Sequence, residues 1–96
     1  MMNSGYNNSN DLGRQRTMPP KVIQSTLDAT MLRCPMPLLK TKMVLKTLSP
    51  GDILLVLATD TGAKKDIPRF IARSQHRLIL STQEDSVYQF YIQVGS

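Results

Sequence analysis

From Val22 onward the chain alternates between runs with an apolar residue at every second position and runs where apolar residues recur every three or four. The first spacing lines one side of a strand and the second one side of a helix. Val22 to Leu27 alternates, with Ile23, Ser25 and Leu27 on one side, and predicts a first strand. Pro35 to Leu48 sets Leu38, Thr41, Val44, Leu45 and Leu48 on one helical side, and Ser49-Pro50-Gly51 supplies the stop. Asp52 to Ala58 contains an unbroken aliphatic run, Ile53 to Leu57, the pattern of a central strand covered at least in part on both faces.

A second helix is expected from about Gly62 to Gln75, with Ile67, Phe70, Ile71 and Ser74 on one side. Pro68 has no N–H to donate and does not fit deep inside a regular helix. Either Asp66 caps a short helix, or an irregular first turn precedes it. Arg77 to Thr82 predicts a third strand, Gln83 to Ser86 a turn, and Tyr88, Phe90, Ile92 and Val94 one apolar face of a fourth strand. The order is βαβαββ. Right-handed crossovers place both helices on the same face of a four-stranded mixed sheet, an α/β (α+β) two-layer sandwich.

At 96 residues and 10.8 kDa the chain has room for one small core, assigned to residues 21–96. Residues 1–20 are rich in Asn, Ser and Gly without apolar periodicity, the composition of a disordered arm. Arg14 and Arg16 there would add at most a weak electrostatic contact. No apolar run has the length of a membrane span or a cleavable signal, so no direct membrane contact and a cytoplasmic location are expected. With Trp absent and only three Tyr and two Phe, the core must be aliphatic and Met-rich.

The candidate chemistry is concentrated at Cys34, the single cysteine, within Leu32-Arg33-Cys34-Pro35-Met36-Pro37 at the start of the first helix. A thiol reacts as its thiolate, and a helix N-terminus favours that form. Both prolines suit a first turn, which puts Cys34 at the N-cap, Pro35, Met36 and Pro37 at the next three positions, and the N–H groups of Met36 and Leu38 near the sulfur. Arg33 could favour the thiolate or meet a partner, although an Arg beside a loop is commonly a solvated charge. Without a Cys-x-x-Cys pair an internal disulfide is impossible, so Cys34 acts on a partner's atom. The bland alternative, a cysteine serving as a small buried hydrophobe, fits the helix-start placement less well. Met36, Leu39 and Met43 fall at i, i+3 and i+7, beside the inward face; they extend the core edge or, if exposed, form an adaptable docking patch near the sulfur.

Leu27-Asp28-Ala29, the Leu-Arg-Cys-Pro-x-Pro run, Pro50-Gly51 with the aliphatic strand, Asp60, Asp66-Ile67-Pro68-x-Phe70 and His76 together resemble the TusA/SirA-type sulfur-carrier family over about residues 25–94. The resemblance implies the same βαβαββ sandwich and a sulfur carried on Cys34 as a persulfide. It implies a cysteine desulfurase as donor, a downstream sulfur-relay protein as acceptor, and tRNA wobble 2-thiouridine as the best-known destination. Molybdenum-cofactor supply and sulfur oxidation or thiosulfate handling are the other destinations. No cofactor or metal of its own is implied, and a monomer is expected. Members often carry Gly where this chain has Met31 and an acidic residue where it has Met36. Asp66, Pro68 and His76 are assigned to capping, turn and edge roles.

Of the twelve Lys and Arg residues, Arg33, Lys40, Lys42, Lys46, Lys64, Lys65, Arg69, Arg73 and Arg77 fall in the helical layer, against Asp52, Asp60 and Asp66, within a net charge of +5. An acidic protein partner, or RNA, would be steered to that side, although solvated helix faces commonly carry such charges. A small RNA-binding module is the rival from another class; with Tyr91 as the only obvious exposed ring on the last strand, it lacks a stacking platform and direct nucleic-acid binding is not expected. A redox regulator using Cys34 is a second rival.

Overall fold

A computed structural model describes Pro20 and residues 22–96; the arm expected over residues 1–20 otherwise lies outside the described residues. The elements are β1 (Ser25–Ala29), α1 (Met36–Leu45), β2 (Ile53–Ala58), α2 (Thr61–Ala72), β3 (Arg77–Glu84) and β4 (Val87–Gln93). One sheet runs in the order β1-β2-β4-β3, with β1 parallel to β2 and the other pairs antiparallel. The βαβαββ order and mixed sheet are those the apolar pattern predicts.

β2 lies between β1 and β4 because its side chains are apolar in both directions. Leu54, Val56 and Ala58 are fully buried with Phe90 and Ile92 of β4, and Ile67 and Ile71 of α2 and Leu45 of α1 join the same cluster. On the opposite face Ile53, Leu55 and Leu57 stand across from Gln93, Tyr91 and Gln89. Tyr91, expected to be exposed, is 8% exposed. Its register partners are Leu55 on one side and Leu80 on the other, and aliphatic neighbours on both strands cover the ring.

The boundaries differ from the expected ones for local reasons. β1 begins at Ser25 and not Val22, because its partner β2 begins at Ile53; Gln24 N–H already donates to the Ile53 carbonyl at 2.9 Å, and Val22 and Ile23 lie beyond and are exposed. α1 ends at Leu45 and not Leu48. Beyond it Thr47 N–H bonds the Val44 carbonyl at 2.9 Å and Leu48 N–H the Leu45 carbonyl at 3.3 Å, a tighter winding. Gly51 then turns the chain at φ +93°, a region open to glycine. α2 runs regularly through Pro68, contrary to both expected alternatives, and Asp60 caps it: its carboxylate accepts the Gly62 N–H at 3.0 Å. The proline forfeits one bond, to the carbonyl four residues earlier, while buried Ile67 and Ile71 hold the helix to the sheet on either side of it. The last turn is shorter than the expected Gln83–Ser86: Gln83 and Glu84 pair with Tyr88 and Val87, leaving Asp85, at φ 54°, and Ser86 as the link.

Candidate functional site

The loop from β1 to α1 is tied down before it reaches the sulfur. Asp28 accepts hydrogen bonds from the Thr30 hydroxyl at 2.6 Å and the Thr30 N–H at 3.0 Å, which hold its carboxyl below its ordinary pKa. The Thr59 hydroxyl donates to the Thr30 carbonyl at 2.8 Å and so joins this loop to the one after β2. Leu32 N–H then bonds the Ala29 carbonyl at 3.1 Å, and Met36 N–H the Arg33 carbonyl at 2.8 Å, turning the chain around Cys34.

Cys34 is exposed, but it does not cap α1. Pro35 holds the N-cap position, Met36 and Pro37 follow it, and the Cys34–Pro35 peptide is cis. Each residue of the motif is therefore one position earlier than expected. The Met36 N–H is committed to the Arg33 carbonyl and not to the sulfur. Pro37 is buried, and its carbonyl accepts the hydroxyl of buried Thr41 at 2.7 Å, so this proline anchors the turn to the core.

The sulfur turns instead to α2. Cys34 Sγ–H donates to Asp66 Oδ2 at 3.4 Å. Gly62 stands one helical turn before Asp66 on the same side. A Cβ at Gly62 would come within 3.0 Å of Cys34 Cβ, 3.1 Å of Sγ and 2.8 Å of Asp60 Oδ2, so the bare glycine backbone gives the thiol its seat. These neighbours reverse the expected electrostatics. The hydrogen bond to Asp66, then burial, then the negative charges of Asp66 and Asp60, raise the Cys34 pKa above its ordinary value. A carboxylate accepting S–H favours the neutral thiol, and Asp60 has already engaged the Gly62 N–H, a donor of the nearest helix start.

Arg33 is exposed and lines a cleft of about 390 Å³ with Thr30, Met31, Leu32, Thr59 and Asp60. Met36, Leu39 and Met43 are 39%, 43% and 60% exposed, so the apolar strip faces solvent. Beside Asp66, a cleft of about 250 Å³ runs between the helices, lined by Leu38, Lys42, Arg69, Phe70 and Arg73. Lys42 Nζ lies 5.1 Å from the Phe70 ring centre and covers it. His76 is structural: its Nδ1 accepts the Gly95 N–H at 3.0 Å. Asp60, Gly62 and Asp66 are the neighbours of the sulfur that sequence reading did not place there. The i, i+4 spacing of Gly62 and Asp66 was the available signal, usable only once α2 is known to begin at Thr61.

The family model described as sulfurtransferase TusA matches residues 25–94. The chain belongs to the TusA family. Among TusA-family proteins, one of Neisseria meningitidis serogroup B assigned as a sulfur carrier is 41% identical over 68 residues, 71% of this chain and 92% of that protein. The Bacillus subtilis protein YrkI, also assigned as a sulfur carrier, is 44% identical over 69 residues, 72% of this chain and 92% of that one. The sulfur carrier protein TusA of Pseudomonas fluorescens is 35% identical over 74 residues, covering 77% and 89%. The crystal structure of the SirA-like protein of Desulfitobacterium hafniense superposes with a TM-score of 0.62 at 22% identity, covering 76% of this chain and all of that one, and bears on the fold alone.

Proposed function

We propose that this protein is a sulfur carrier: Cys34 takes sulfane sulfur from the persulfide of a cysteine desulfurase and gives it to a downstream relay protein. The observation that supports this most is the exposed thiol on a braced turn, in a chain of the TusA family whose relatives are named as sulfur carriers. The donor's outer sulfur bonds to Cys34 Sγ as the donor S–S bond breaks, and the proton of Cys34 ends on the departing donor thiol. No net oxidation occurs and no metal or cofactor enters the step.

The acceptor we favour is the relay leading to 2-thiouridine at the tRNA wobble position, with the carrier acting as a monomer in the cytoplasm; among the described residues, no helix is long and apolar enough to cross a membrane. Deleting the gene in its host should abolish 2-thiouridine in digested tRNA, with restoration by the wild-type gene and not by Cys34→Ser. Unchanged 2-thiouridine in the deletion strain would redirect the sulfur to molybdenum-cofactor assembly or sulfur oxidation. Direct RNA binding is disfavoured by two rings: Tyr91 is buried and Phe70 lies beneath Lys42.

A further inference from the structure

The Cys34 sulfur has a crowded side and an open one. On the crowded side α2 presents Asp66, with its Oδ2 3.4 Å from Sγ, and Gly62, whose backbone leaves no room even for a methyl group, since a Cβ there would lie 3.1 Å from Sγ. Asp60 adds a second negative charge from the cap of the same helix. The first turn of α1 carries no acidic residue, Arg33 on the Cys34 loop is exposed, and Asp66 shares the interhelical cleft with Lys42 of α1 and with Arg69, three residues further along its own helix.

The outer sulfur of a persulfide sits about 2.05 Å from the inner one. Placed along the direction in which S–H now points to Asp66, it would lie far inside contact distance of Oδ2, given the 3.4 Å from Sγ to that oxygen. The loaded sulfur therefore cannot replace the proton. It is also charged, because a persulfide is a stronger acid than a thiol, and both carboxylates repel it. We infer that Asp66 positions the carrier's sulfur in opposite ways in its two states, holding the unloaded thiol against α2 and turning the loaded persulfide outward to the acceptor.

This rests on the sulfur-carrier reading and adds a direction to it. Before loading, Cys34 Sγ–H donates to Asp66 Oδ2 and the thiol resists stray alkylation and oxidation. In the transfer, Sγ bonds to the outer sulfur of the donor persulfide and the donor S–S bond breaks. The Sγ proton leaves its contact with Asp66 and ends on the departing donor thiolate. The new outer S–H then ionises to solvent, and the anion swings away from Asp66 and Asp60. Asp66 is thus a positioning residue acting through Cys34.

The test measures iodoacetamide alkylation of the full chain against pH, reduced and after loading with inorganic polysulfide, in wild type and Asp66→Asn. In the variant the pH midpoint of the reduced thiol should fall, raising its rate near neutral pH about threefold or more. The loaded form should change by less than about twofold, because its sulfur already points outward. An unchanged midpoint, or equal acceleration of both forms, would overturn the inference. Should Asp66→Asn fail to fold by circular dichroism, ultraviolet titration of wild-type thiolate decides: a midpoint above that of free cysteine supports the contact, and one at or below it refutes the role. Polysulfide loading needs no desulfurase, so these outcomes are readable even if the proposed donor fails.

Discussion

Cys34 is presented to solvent by its own loop and restrained by another element, and the two have separable consequences. Gly62→Ala should leave stability within about 1 kcal/mol, since a better helix former offsets a disturbed cap. It should also push the thiol off α2 and change its alkylation rate, because the new Cβ would come within 3.1 Å of Sγ; an unaltered rate would mean that the seat is not limiting. The thiol also makes stability depend on pH. Its pKa is raised in the fold, so folded protein holds this proton more tightly than unfolded chain does. That contribution is complete below the unfolded thiol value of about 8.5 and disappears as pH rises through the higher folded value. Melting temperature should therefore fall more steeply at alkaline pH in wild type than in Cys34→Ser, and parallel curves would contradict the Asp66 bond. The exposed cysteine at the start of α1 was legible from sequence, whereas its N-cap placement was not: Pro35 takes that position and the Met36 N–H bonds the Arg33 carbonyl. Asp66 was not, because its contact spans 32 residues and depends on how α2 packs.

The helices divide the work, α1 offering an apolar surface and α2 controlling the sulfur. Leu39 is 43% exposed, so Leu39→Glu should slow sulfur transfer several-fold at an unchanged melting temperature; a clear drop in thermal stability would return Leu39 to the core. Ile67 is fully buried in the shared cluster, and Ile67→Ala should cost about 2–5 kcal/mol in denaturant unfolding. Element order and type were legible from apolar spacing. Boundaries were not, since partners decide them: β1 waits for β2 to begin, and α2 reaches through Pro68 because Asp60 starts it early. Propensity saw the proline as an obstacle, and tertiary packing of Ile67 and Ile71 outweighed it.

Across the molecule, charge and chemistry share the helical layer. Lys42, Arg69 and Arg73 line the cleft that reaches Asp66, and Lys42 and Lys46 line its neighbour beside His76. Such a surface steers acidic partners, so transfer rates should fall as salt rises while alkylation of Cys34 by a neutral reagent holds steady. Net charge was legible at a glance; the gathering of Lys42, Arg69 and Arg73 around the cleft beside Asp66 needed the packing of α1 against α2. The central claim is that sulfur travels on Cys34. Intact-mass measurement after incubation with a cysteine desulfurase and cysteine tests it most directly. The expected result is a gain of a single sulfur atom, removed by reductant and absent from Cys34→Ser; a Cys34→Ser protein that still gains it would contradict the assignment.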